Sequence, residues 1–340
     1  MRFSKRDALA TLSQYSGITA LLGVLPAKPI LMVLNYHRIG NADETPYDPQ
    51  VFSCTAGELD RQVGFLKRRF HLATLDEVLD IAESRRKPSG TVVLLTFDDG
   101  YLDNYQSAFP VLAAHCVQGV FFLPTAFLGS SRLSWWDTAA YIIKRSRKRK
   151  FRLGVPPFQE FDLDAEPARK VVAHVLNAYV TGSGFHRDSE PFLAMLEEAC
   201  DSPRPDGSER CHMNWEEVAT MLRGGMAIGS HAHSHEILSR LPAEEQLSEL
   251  TASKRILEER LGAPVYALSY PVGLPESFSS DTRAAAVAAG YRLAFSFYGG
   301  FNRFGAIDPF DFRRQSGISR AIARFRLQTT LASVTGRYWF

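Results

Sequence analysis

The sequence predicts an α/β fold built on a largely parallel sheet with helices outside it, and three observations carry that expectation. Short apolar runs such as Val92 to Leu95 and Val120 to Leu123 alternate with segments of helical periodicity. Two runs end in clusters of ionisable side chains, Thr96-Phe97-Asp98-Asp99-Gly100 and Ser230-His231-Ala232-His233-Ser234-His235. Carboxylates and imidazoles at strand ends converge on one rim of an α/β barrel or sheet, where such folds place their chemistry. The composition, 45% hydrophobic and 22% charged over 340 residues, supplies a core for one large domain or two ordinary ones.

Taken in order, Pro29 to Asn35 reads as a buried strand that ends at Tyr36-His37, followed by a polar loop through Asp43-Glu44-Thr45-Pro46. Thr55 to Arg68 has helical spacing at Leu59, Val63 and Leu66, with Thr55 as cap and Glu58 three places on. Leu75 to Arg85 gives another helix, then come the Val92 strand, a helix over Tyr105 to Ala114 and the Val120 strand. From Trp135 to Arg210 the alternation stops. Asp137 to Lys150 reads as a helix that turns basic at Lys144-Arg145-Ser146-Arg147-Lys148-Arg149-Lys150, and helical segments follow at Ala168 to Tyr179 and Pro191 to Ala199. Asn214 caps a helix over Trp215 to Arg223, which leads into the strand at Met226 to Ile228. Alternation then resumes with helix Ala243 to Leu261, strand Val265 to Tyr270, helix Ser280 to Ala289, strand Tyr291 to Phe297 and a last short strand at Phe310 to Gln315.

Charge and cysteines narrow the function. A formal net charge of +2 gives no global field toward nucleic acid. The run Lys144 to Arg152 lacks the interleaved aromatic platform of a base-stacking surface, so a nucleic-acid partner is not expected. It offers a peripheral membrane contact instead. Cys54, Cys116, Cys200 and Cys211 form no CxxC, which argues against a thiolate metal site and leaves one disulfide open. No stretch reaches the ~20 apolar residues of a membrane span. The apolar stretch Ile18 to Leu25 makes a poor signal peptide, although Pro26-Ala27 leaves secretion open. The expectation is cytoplasmic residence, including the inner face of the membrane.

The two motifs carry chemistry. Asp98 and Asp99 follow a strand consecutively, so their side chains diverge, one toward a metal and the other toward the space beside it. Gly100 permits the sharp departure that exposes both. His231 and His235 share one face if a helix starts there, and an extended loop also lets them converge. One carboxylate and two histidines leave a coordination position for water, unlike a four-ligand structural site. That pattern is a metal-dependent hydrolase.

At these residues the chain resembles the polysaccharide deacetylase family, also called NodB-homology or carbohydrate esterase family 4 domains. The family's TFDDG stands intact at Thr96 to Gly100, and its H-S/T-x-x-H appears at His231 to His235 with Ala232 in place of the hydroxyl residue. The resemblance implies a distorted (β/α)7 TIM-like barrel with a mostly helical insertion. It implies Asp98 as catalytic base, and Asp99, His231 and His235 as ligands of a divalent metal, commonly zinc. The barrel is expected over 29–320 with the insertion at about 135–210, between an N-terminal segment, 1–28, and a C-terminal tail, 321–340.

Later family segments depart from pattern. Ser269-Tyr270-Pro271-Val272-Gly273 resembles the S/A-Y-P-x-G form of exopolysaccharide-linked branches, and it lacks the arginine that commonly pairs with the base. Arg314, in a segment similar to the family's L-P-R-I, is the replacement. No histidine follows His235, so the usual late general acid is missing and His37, from an early Y-H, is the candidate acid. Tyr270, Arg314, Trp135 and Trp215 are candidate substrate contacts, with Trp136 as a further stacking aromatic. The substrate implied is an N-acetylated oligo- or polysaccharide of the cell surface or a lipid-linked precursor, deacetylated to a free amino sugar. The competing readings are an inactive polysaccharide-binding protein on the same fold and a deacylase of a lipid-linked sugar or non-sugar amide.

Overall fold

In a computed structural model of the chain, which describes residues 5–154, 159–181, 189–315 and 319–337, the residues group into two compact units. The first takes 1–40, 53–129 and 212–340, and the second takes 41–52 and 130–211.

The first unit opens with helices α1 (Lys5–Tyr15) and α2 (Ile18–Leu22), followed by strand β1 (Ile30–Tyr36). Helix α3 (Ala56–Arg69) starts at the expected cap, where Thr55 and Glu58 satisfy each other's backbone N–H groups. Helix α4 (Leu75–Ala82) ends before the expected Arg85, because Ser84 adopts a left-handed φ of 60°. Strand β2 (Val92–Phe97) leads to a wide π-type turn over Asn104–Ala108, where a regular helix was expected, then α5 (Phe109–Ala114) and β3 (Gly119–Leu123).

In the second unit, α6 (Trp135–Lys144), α7 (Ala168–Thr181) and α8 (Glu190–Cys200) enclose their own core of residues such as Ile142, Val172 and Leu196. The expected helix through Lys150 stops at Lys144; Lys150–Arg152 is a strand paired antiparallel with Glu160–Asp162. Three of its cations have local partners. Arg149 pairs with Asp164 at 2.8 Å, Lys150 with Asp162 at 3.1 Å, and Lys144 Nζ donates to the carbonyls of Thr45 and Tyr47 at 2.9 and 2.5 Å.

The first unit resumes with α9 (Trp215–Arg223), capped by Asn214 and Glu217, and β4 (Ala227–Ser230). Helix α10 (Ala243–Leu261), β5 (Ala267–Ser269), α11 (Ser280–Ala288), β6 (Leu293–Ser296) and β7 (Phe312–Gln315) follow. Residues 322–335, expected to be tail, form α12 (Ile322–Thr335), which packs on α1, α2 and α3.

The seven numbered strands pair in parallel in the order β1-β7-β6-β5-β4-β3-β2, and β2 returns to β1 through a six-residue register from Leu31↔Val92 to Tyr36↔Phe97. The sheet is thus a closed (β/α)7 barrel. Alternate strand residues build its interior: Leu31 and Val33, Val92 and Leu94, Val120 and Phe122, Phe295 and Phe312 belong to one buried cluster, to which α4 adds Leu75 and Val78. The intervening residues, among them Met32, Val93, Phe121 and Leu268, pack outward beneath α3, α9 and α10. Continuing the inward set to the strand ends reaches polar groups: Asn35 on β1, Thr96 and Asp98 on β2, Ser269 on β5 and Arg314 on β7. The four cysteines are free, and Cys116 is exposed.

Interior space is tight at Gly229 of β4, where an added Cβ would stand 2.4 Å from Phe122 Cδ1 and 3.1 Å from the Ala267 carbonyl. Gly229→Ala is expected to destabilise the fold by about 1–3 kcal/mol through overpacking. The denaturant midpoint checks this, and an unchanged midpoint would show that Phe122 repacks freely.

Candidate metal centre

The site grows from the period-two register of β1, β2, β5 and β7. Asp98 is buried at the end of β2, with its N–H donating to the Tyr36 carbonyl at 3.0 Å. Arg314 Nη1 donates to Asp98 Oδ1 at 2.8 Å and to Asn35 Oδ1 at 2.7 Å. Its Nη2 donates to Ser269 Oγ at 2.8 Å and its Nε to the Ser296 carbonyl at 2.9 Å. Asn35 Nδ2 and Ser269 Oγ reach the other carboxylate oxygen, Oδ2, at 3.2 and 3.4 Å. Burial alone would raise the Asp98 pKa, but the guanidinium, with His231 and His37, overrides it and holds the carboxyl below its usual range.

Asp99 points elsewhere. Its φ of 72° is left-handed, as is that of Gly100 at 66°, and this double reversal turns the Asp99 carboxylate away from Arg314. Its Oδ1 lies 3.4 Å from His231 Nε2 and 3.3 Å from His235 Nε2. Burial would again raise its pKa; the two imidazoles lower it well below the usual carboxylate value.

The histidines leave the end of β4 on a loop, not on a helix. Ala232 and His235 both have φ of 61°, so the i, i+4 spacing converges by loop reversal. Glu249 of α10 fixes the reversal by accepting from the backbone N–H groups of His233 and Ser234 at 3.1 and 2.8 Å. His231 Nδ1 donates to the Ser269 carbonyl at 2.8 Å, since a carbonyl only accepts, which leaves the Nε2 lone pair toward Asp99. Burial would lower the His231 pKa, but Asp98 and Asp99 raise it overall; in His235 burial prevails, with His231 adding to it, and the pKa falls. His233 faces away and binds Thr125 Oγ1 at 2.8 Å.

This donor set fits a divalent ion. The three ligand atoms lie within 4.8 Å of one another. Two atoms each ~2.1 Å from one ion at a tetrahedral angle stand ~3.4 Å apart, close to the 3.3 and 3.4 Å separations here. One carboxylate with two imidazoles suits a zinc-type ion with a position left for water.

His37 follows β1 and is half-buried. Its N–H donates to Ser53 Oγ at 2.9 Å and its carbonyl accepts from Asn104 Nδ2 in the π-type turn at 2.7 Å. The ring lies 5.5 Å from that of Phe297 and contributes to the field that lowers both aspartates.

The four expected substrate contacts fare differently. Arg314 is fully buried on Asp98, so it is a partner of that carboxylate and not a surface for sugar. Tyr270 is also buried, stacked on Phe278 at 4.4 Å with its hydroxyl donating to the Phe310 carbonyl, because its outward register places the ring in the helix-facing core. Its N–H donates to the Phe295 carbonyl at 3.0 Å. Trp135 belongs to the second unit, where its ring meets those of Tyr179 at 5.0 Å and Trp136 at 5.6 Å. Trp215 packs half-buried on α9 with the Arg260 guanidinium 5.6 Å from its ring. Sequence reasoning missed Asn35, Ser269, Glu249 and Asn104; the signal for the first two was a polar residue on the inward set of an otherwise apolar strand.

Metal binding gives a test. His231→Ala and His235→Ala are each expected to abolish stoichiometric zinc uptake, read by elemental analysis. Because the His231 pKa is raised, a proton competes for Nε2 from a higher pH than at an ordinary histidine, and affinity should fall as pH drops through that range. Zinc stoichiometry that survives both substitutions would place the ion elsewhere.

Comparisons with known proteins agree with this architecture. A family model described as polysaccharide deacetylase matches residues 85–155 and 197–294. YxkH of Bacillus subtilis (strain 168), which carries a provisional polysaccharide deacetylase name, is 23% identical over 269 residues. That match covers 79% of this chain and 64% of the relative, so the chain spans less than two thirds of its length. Among solved structures, IcaB from Ammonifex degensii has a TM-score of 0.57 at 19% identity, covering 89% of this chain and 100% of that one. The Streptococcus pyogenes deacetylase PplD, in complex with acetate, has a TM-score of 0.53 at 16% identity, covering 85% and 92%. With the family model matched across both motifs and the barrel shared with these structures, the chain belongs to the polysaccharide deacetylase family.

Proposed function

We propose that the chain is a metal-dependent N-deacetylase that releases acetate from an N-acetylated amino sugar in a cell-surface polysaccharide or its precursor. The observation that carries this reading is the separation of two consecutive buried carboxylates, one on an arginine and one on two imidazoles. The family supports a carbohydrate amide as substrate, and the acetate in the PplD structure supports acetyl as the group removed. The S-Y-P-x-G form at Ser269 to Gly273 supports a polymer of the exopolysaccharide type.

Asp99, His231 and His235 would hold the ion, which supplies Lewis acidity to the amide carbonyl and a more acidic water. Asp98 acts as base through Oδ2, the oxygen 4.0 Å from His231 Nε2, while Arg314 keeps Oδ1 engaged. Its lowered pKa keeps it ionised and ready to accept the proton of the attacking water near neutral pH. As the C–N bond breaks, the amine nitrogen needs a proton, and His37 donates it. Asn104 and Ser53 position that residue by fixing its backbone on both sides. The products are acetate and a free amine.

The direct test is acetate release from N-acetylglucosamine oligomers and lipid-linked sugars by the zinc-loaded chain; no release from any of them would overturn the reading. Asp98→Asn should retain zinc and lose about 10²–10⁴-fold in turnover, and a near-normal rate would remove the base role from Asp98. His37→Gln should also keep zinc while turnover falls and the basic limb of the pH–rate profile flattens, since that limb reports the protonated acid. An unchanged profile would take the acid role away from His37.

A further inference from the structure

The first two helices wear their apolar residues on the outside. Nine large hydrophobic side chains are exposed among the described residues, and seven of them fall between Leu9 and Leu25. The other two, Leu247 and Val287, lie on α10 and α11. Isolated exposed leucines are ordinary, but a concentration of this kind marks a surface that meets something. Leu12 is 65% exposed, Tyr15 84%, Leu21 71% and Val24 81%. Leu9, Leu12 and Tyr15 follow a helical spacing along α1, and Ile18 and Leu21 do so on α2, with Val24 in the turn that its N–H closes onto the Leu21 carbonyl at 3.1 Å.

The inward face explains why the stripe is not misplaced core. Helix α1 buries Ala10 and Ser13, α2 buries Thr19, and the Ser13 and Thr19 hydroxyls bond each other at 3.1 Å. Small and hydroxylated residues thus pack toward α12, while the leucines that would ordinarily fill a core point out. An amphipathic helix with this polarity is shaped for a second apolar phase.

Charge selects the phase. Residues 1–28 hold Arg2, Lys5, Arg6 and Lys28 against one acid, Asp7, and Asp7 already lies 3.6 Å from Arg324. Arg6 and Lys28 are exposed. An apolar stripe flanked by net positive charge complements the headgroups and acyl boundary of an anionic bilayer. We propose that α1 and α2 dock this protein onto an anionic lipid surface, lying in the interface plane with Leu12, Tyr15, Leu21 and Val24 inserted.

The test is sedimentation of the full chain with large vesicles of phosphatidylcholine, alone or with one part in three of phosphatidylglycerol. Wild type should pellet with the anionic vesicles, less with the neutral ones, and less again as salt rises. Leu12→Glu combined with Leu21→Glu should lower partition at least ~tenfold; because both side chains are exposed, far-UV circular dichroism should be unchanged. Tyr15→Ser with Val24→Ser gives a milder pair should the first misfold. Leu247→Glu with Val287→Glu, the exposed residues outside the stripes, should leave partition as it was. Wild type remaining in the supernatant with anionic vesicles, or a glutamate variant that pellets like wild type, overturns the proposal. So does a dimer in light scattering that the Leu12→Glu substitution dissociates, since the stripes would then be covered by a second copy.

Discussion

The closed barrel and its chemistry depend on one buried ion pair, Arg314 with Asp98. A guanidinium taken out of water costs several kcal/mol unless its donors and its charge are both met. Here each of its nitrogens donates, to Ser296 on β6, to Asn35 on β1, to Ser269 on β5 and to Asp98 after β2. Four strands besides β7, which carries Arg314, therefore contribute to one polar cluster on top of an apolar interior. The cluster is satisfied as a set, which is the condition under which a buried network specifies a structure instead of weakening it. Removing Asp98's partner would leave a carboxylate in the same dry place and raise its pKa, so closure of the fold and ionisation of the proposed base are one electrostatic problem.

The neighbouring carboxylate shows how the chain gives two adjacent aspartates different tasks. Asp98 continues the inward register of β2 and meets arginine. Asp99, one residue later, would face outward into the helix layer if the strand continued. The left-handed turn at Asp99 and Gly100 brings it back to the rim. Both carboxyls are held below the ordinary range, but with different leading partners: a permanent cation for Asp98, and hydrogen bonds from two imidazoles for Asp99. For Asp98 the guanidinium is the leading influence against burial, with His231 and His37 adding to it.

Most of the fold was legible in the sequence because it rests on short-range rules. The barrel strands are apolar runs, and the helices beginning after Thr55 and Asn214 carry reciprocal caps. What escaped depends on contacts distant in sequence. The basic run read as helix, yet Lys150–Arg152 is a strand whose partner, Glu160–Asp162, lies ten residues further along the chain. Tyr270 read as a sugar platform because nothing local told which way an end-of-strand ring would face. The spacing of His231 and His235 was compatible with helix or loop, and Glu249, a residue with no motif around it, decides between them. Arg314 was legible as a stand-in for an absent arginine, but nothing local to Asn35 or to Ser269, the first residue of the S-Y-P-x-G segment, told that their side chains complete its shell.

Backbone conformation ties these points together. Of the seven non-glycine residues with left-handed φ among the described residues, Asp99, Ala232 and His235 lie in the two motifs and Val272 in the segment after β5. Each such residue costs on the order of 1 kcal/mol and persists only where surrounding contacts over-determine it. Those contacts are present. Asp98's N–H is pinned to Tyr36, the histidine loop is pinned to Glu249, and Ser269 serves the site twice, through its hydroxyl to Arg314 and its carbonyl to His231. Ser269 thus couples the ion-pair half of the site to the imidazole half within one residue of β5. The rotamer of His231 and the orientation of Arg314 are set by the same short strand, so the distance between the proposed base and His231 is a property of the barrel, while the loops that carry the motifs bring Asp99 and His235 to it.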